Sequence, residues 1–218
     1  MAATKKTFLK FFFELAIVII GITIAFTLDR WNQERTNDDK LETYLSLLAS
    51  DLKAQGEGID GSTRVVSDVL DAYKEMVKGL EENEPIDQLF SDYFNRMQSF
   101  SIFKREGANT YSIMLQSGDI QLIQGIVLKS QLLNLETVYN RIQNFESSYL
   151  EKRDQMLDPL IVQYFNTSTE SFENLNTVNK RQFQNRLYLI MDLLDALLYA
   201  YRDASEEIES VINELEDV

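Results

Sequence analysis

The sequence predicts an all-α protein, with an N-terminal transmembrane helix that continues into a long-helix bundle, a coiled-coil-like extracytoplasmic domain. Three observations carry this. Residues 11–28, FFFELAIVIIGITIAFTL, form an apolar run with one charge. Only two prolines and eight glycines interrupt 218 residues, so regular elements are long. Apolar side chains recur at spacings of three and four, the period of a helix face.

The first element is the apolar run. At 1.5 Å per residue it makes about 27 Å of helix, close to the hydrocarbon thickness of a bilayer. Trp31, just beyond it, suits the headgroup boundary. Ile24, Ala25, Phe26, Thr27 and Leu28 offer no small-residue cleavage site, so an uncleaved anchor is expected rather than a signal peptide. Lys5, Lys6 and Lys10 precede the run, and Arg30 and Arg35 follow it. That bias places residues 1–10 as a cytoplasmic tail, 11–28 in the inner membrane and 29–218 in the periplasm. Within the run, Glu14, Val18, Gly21, Ala25 and Leu28 share one stripe. Gly21 and Ala25 form a small-xxx-small pair that lets a second helix approach closely.

Leu41, Tyr44, Leu45, Leu48 and Leu52 extend the helical pattern to about Lys53, with a break or fresh N-cap at Thr36, Asn37, Asp38 and Asp39. Gly56, Gly58 and Gly61 predict a turn. A second helix is expected over 62–82 and a third over 86–100, with Pro85 at its start. Residues 104–107 read as a loop and 109–116 as a short helix. Ser117 and Gly118 stop that helix, and Asp119 caps the next. A long helix follows from about 120 to 165, with Pro159 as a possible kink, then a polar loop over 166–177. The last helix, 180–216, carries Phe183, Leu187, Ile190, Leu194, Leu197, Tyr201, Ala204, Ile208, Val211 and Leu215 in unbroken 4-3 alternation, a helical seam.

Charge and composition exclude several functions. Residues 29–218 hold 18 of the 21 basic and 34 of the 35 acidic residues, a net charge of −16. Nucleic acid needs a basic surface and is excluded as a partner. No cysteine and no histidine are present. That removes thiolate chemistry, the Ser-His-Asp and Cys-His arrangements, and the usual zinc ligands. A two-metal bundle site needs Glu-x-x-His, and no glycine-rich loop leads into Lys-Ser/Thr. Asp192 and Asp195, three apart, are the one acid pair weighed for general acid–base work, and they read as a solvated flank. The expectation is no enzyme, no catalytic, cofactor-binding or metal residue, and no cofactor.

Two stretches carry a family resemblance. GITIAFTLDRWNQE, at 21–34, resembles the membrane exit of an uncharacterised family of small single-pass membrane proteins from Bacteroidota-type bacteria. TYSIMLQSGDIQLI, at 110–123, is similar to that family's internal Tyr-x-x-Leu-x-Ser-Gly segment, and LNLETVYN, at 133–140, to the helix after it. The resemblance implies a helical, membrane-anchored protein and no known activity.

The function expected from these readings is a membrane-anchored scaffold or accessory subunit. It would meet lipid through 11–28 and act through self-association or as a subunit of a larger membrane complex. Two other readings stand beside it. One is an energy-coupling or ion-conducting subunit that uses Glu14. The other is a periplasmic sensor whose partner supplies the output.

Overall fold

In the computed structural model, residues 2–105 and 109–216 are described, with side-chain surroundings from Glu14 onward. The expectations for Lys5, Lys6, Lys10, Phe11, Phe12 and Phe13 therefore lie outside the described side chains. The fold is all-α. Its first element, α1 (Ala2–Glu81), is a single helix of 80 residues, about 120 Å long at 1.5 Å per residue.

This corrects the expected break at Thr36, Asn37, Asp38 and Asp39, the turn at Gly56, Gly58 and Gly61, and the separate helix over 62–82. Glycine weakens a helix by roughly 1 kcal/mol relative to alanine. Tertiary packing outweighs that here. Leu48, Leu52, Gln55, Ile59, Val66, Val69, Tyr73, Met76 and Leu80 stay on one buried stripe straight through the glycines. Gly58 has a packing reason of its own. A Cβ there would lie 3.1 Å from the Phe103 ring, and one at Gly79 would lie 2.3 Å from Leu89 Cδ2.

α2 (Ile86–Gln98) folds back along the distal end of α1. Arg96 ties the two together, bonding Asp68 at 2.9 Å and Glu75 at 2.7 Å. An irregular connector, residues 99–105, leads toward α3 (Thr110–Ser117). Asn109 caps α3 from a left-handed conformation, φ 50°, accepting the Ser112 N–H. Gly118, at φ 80°, ends the helix where a side chain would strain the backbone.

The long helix expected from about 120 is two elements. A 3₁₀ turn (Asp119–Leu122) comes first, and α4 (Ile126–Tyr164) starts after Gly125. Pro159 lies inside α4, which continues past it. The expected loop at 166–177 contains a small antiparallel pair, β1 (Phe165–Asn166) with β2 (Ser171–Phe172), and a 3₁₀ turn (Leu175–Thr177). Phe172 is the reason for the pairing. It sits 4.8 Å from the ring of Phe90 and 4.9 Å from that of Phe94, so the hairpin closes an aromatic end to the bundle. α5 (Lys180–Glu216) has the bounds expected of it.

α5 is the central helix. It packs along both α1 and α4, whereas α1 and α4 hardly meet through their backbones. Leu187, Ile190, Leu194, Leu197, Tyr201 and Ile208 are all at most 3 % exposed. α4 presents Leu128, Leu132, Leu135, Tyr139, Ile142 and Tyr149 to the same core.

Candidate functional site at the base of the stalk

The bundle begins near Leu41. Residues 29–40 of α1 are exposed on every side, so α1 leaves the body as a bare helical stalk. Toward its N-terminus the stalk turns apolar and stays exposed from Ile17 to Leu28. Ile17 is 67 % exposed and Phe26 71 %, and Leu15, Val18, Ile19, Ile20, Ile22, Ile24, Leu28 and Trp31 are exposed as well. These residues point in all directions around the helix. Glu14, Val18, Gly21 and Ala25 lie on this exposed surface, and among the described residues nothing comes within 4 Å of a Cβ placed on Gly21.

Among the described residues no helix is long and apolar enough to cross a membrane. The expected span starts at Phe11, and the uncharged stretch among the described residues is 15–28. That stretch gives about 21 Å of helix against a hydrocarbon core of about 30 Å.

Where the stalk meets the body, the segment 109–123 clasps it. The expectation that Asp119 caps the following element is corrected here. Its Oδ2 instead accepts from Tyr44 Oη at 2.8 Å and Ser117 Oγ at 2.6 Å, and pairs with Lys40 Nζ at 2.7 Å. These three contacts, with Lys40 first, hold the Asp119 carboxyl down at about 2. The same contact raises the Lys40 ammonium above its ordinary value. One turn of α1 beyond Leu48, Asp51 accepts both the Thr110 N–H at 2.8 Å and the Thr110 hydroxyl at 2.7 Å. So the Thr-Tyr…Ser-Gly-Asp stretch, Thr110 to Asp119, joins the body to α1 at two heights.

The carboxylate at 119 gives a pH prediction. Its folded value is depressed, so its contribution to stability is present above the ordinary carboxylate value, about 4. That contribution fades as pH falls toward about 2. In Asp119→Asn the melting temperature should lose this acid-dependent component. Parallel melting curves for variant and native protein between about pH 5 and about pH 2 would show that the clasp contributes nothing.

On another side of the stalk base, Leu41, Leu45, Ala49, Ile212 and Leu215 line an open groove of about 540 Å³ between α1 and the end of α5. It lies on the body side of the stalk.

Sequence reasoning passed over Lys40, Asp51, Arg105 and Glu146. Arg105 forks onto Glu136, at 2.8 and 3.2 Å, and lies 4.3 Å over the Tyr139 ring. Glu146 is 1 % exposed. It had a legible signal, because it fills the empty place between Ile142 and Tyr149 in the 4-3 row of α4. Asp192 and Asp195 are both exposed on α5, on the flank rather than in the core. No cluster suited to a metal ion occurs among the described residues. The model of a family of unknown function matches residues 14–195, most of the chain. No curated protein and no solved structure matches it.

Proposed function

From the premise that the chain belongs to the family of unknown function DUF6090, we propose a non-enzymatic, membrane-anchored scaffold or accessory subunit. The single observation that carries this reading is the stalk. An all-round apolar surface, exposed from Leu15 to Leu28, lies on the same unbroken helix as a well-packed acidic body. Water does not stabilise such a surface, at roughly 25 cal/mol per Å² of apolar area. Lipid removes that cost on all faces at once, and a lone protein partner covers only one.

In this reading the helix enters an inner membrane from Phe11, the tail stays cytoplasmic and the body stands in the periplasm. The clasp at Lys40, Tyr44 and Asp119 makes stalk and body one lever, so a displacement of the membrane helix reaches the bundle. Gly21 and Ala25 leave a face open to a second membrane helix, in a homo-oligomer or a larger complex.

The test is native mass spectrometry of the protein taken from its own membranes in mild detergent. A homo-oligomer or a stoichiometric complex with another membrane protein is the expected result. Recovery as a monomer in the soluble fraction would overturn the proposal.

A further inference from the structure

The backbones of α1 and α4 stand apart, and the two helices meet through long side chains such as Gln55 and Tyr139, which leaves a seam between them. The connector 99–105 covers it without forming a helix. Phe100 lies 4.5 Å from the Tyr149 ring. Phe103 lies 6.1 Å from Tyr139 and 6.4 Å from Tyr201, and reaches α1 at Gly58. Both phenylalanines are 8 % exposed, so the connector is a strap that completes the core.

Arg105 pins the end of the strap to Glu136 of α4, and a buried carboxyl latches its middle. Glu146 Oε1 accepts the Phe103 N–H at 2.7 Å and the Tyr201 hydroxyl at 2.7 Å. Glu146 Oε2 is buried and has no hydrogen-bond partner among the described residues. Among the described residues, the groups packed around the latch are neutral. α5 supplies Tyr201, α4 supplies Tyr139 and Tyr149, and α1 supplies Gln55, bonded to Tyr139, and Ser62, beside Tyr201. The nearby cations are engaged elsewhere: Arg105 with Glu136, Arg141 with Asp203, Arg153 with Asp154. Among the described residues, burial and the two donors, Phe103 and Tyr201, are what act on the Glu146 carboxyl.

We propose that residues 99–105 form a pH-gated strap, held shut over the α1–α4 seam by neutral Glu146 and loosened when Glu146 ionises. The physical reason is the cost of an anion in an apolar core without a cation. Burial raises the Glu146 carboxyl above its ordinary value, more than the Phe103 and Tyr201 donors lower it. Lifting the strap wets the carboxylate and removes that cost. Opening is therefore favoured as pH rises from the ordinary glutamate value to the raised one, and levels off above it.

The test is amide hydrogen exchange of the full chain in detergent, from about pH 5 to about pH 8, corrected for the intrinsic rate at each pH. The opening constant at the Phe103 amide should rise by up to tenfold per pH unit and then flatten. Amides of α5 around Leu194 should not follow it. In Glu146→Gln the constant should be independent of pH. Tyr201→Phe removes a donor that favours the anion, so its rise should extend to higher pH, and this variant serves if Glu146→Gln does not fold. A native opening constant that is flat with pH, or an equal slope in Glu146→Gln, would overturn the proposal.

Discussion

Alanine at Leu194, Leu197 and Tyr201 together should unfold the body at room temperature. All three are 0 % exposed, and they face the core from α5, which packs along both α1 and α4. Each leucine truncation in a packed core costs about 2–5 kcal/mol, and loss of a large aromatic about 3–5 kcal/mol. A domain of this kind has only about 5–15 kcal/mol in total. Neighbouring sites do not add simply, but even a discounted sum reaches the whole of that reserve. Tyr201 adds a second loss, because its hydroxyl is one of the two donors on the buried Glu146. Circular dichroism should show a collapsed helical signal and no cooperative melt. A variant that kept the native melting temperature and mass would mean that this seam is not the core.

Lysine at both Ile20 and Ile24 should release the protein from membranes. The two residues are 58 % and 54 % exposed and, among the described residues, lie on the bare stalk outside the body, so the bundle should melt at its native temperature. Each lysine near the centre of a spanning helix costs about 2.5–3.5 kcal/mol of insertion free energy. Two such residues shift a partition by about four orders of magnitude, at 1.4 kcal/mol per factor of ten. Leucine at the same two sites should leave the membrane fraction unchanged. If the native protein already fractionates with soluble proteins, the anchoring reading fails before any variant is made. If the lysine variant stays in the membrane fraction, residues 15–28 are not what holds it there.

The continuity of α1 is legible in the sequence, although local propensity points the other way. Gly56, Gly58 and Gly61 are punctuation by local propensity. Yet the row from Leu48 to Leu80 keeps its 4-3 spacing across all three, and a turn would have broken that phase. The cost of a glycine is local and small. The gain from keeping one face buried over about nine turns is large, and packing decides. Glu146 had a similar signal, since an acid in a row of core positions is either an error of phase or a buried group with a job. The row from Leu128 to Tyr149 has no error of phase.

The clasp had no such signal. Asp119 after Ser117 and Gly118 has the local form of a helix cap, and Asp119 does accept from Ser117. Its other partners, Lys40 and Tyr44, lie more than seventy residues away in the chain. The stretches at 21–34 and 110–123 that carry the family resemblance both fall inside the match at 14–195. The second stretch meets α1 at Lys40, Tyr44 and Asp51, beyond the first, and only because α3 comes down alongside α1.

By itself the sequence determined the helical class, the bounds of α5, its buried face, and the apolar character of the stalk. These rest on periodicity and composition, which act within one element. The tertiary structure decided that α1 runs unbroken, that Asp119 binds across to the stalk, and that a strap rather than a helix closes the seam over Glu146. Those depend on which surfaces meet. A glycine, an aspartate or a glutamate takes its role from the partner that arrives, and spacing along the chain does not encode that partner.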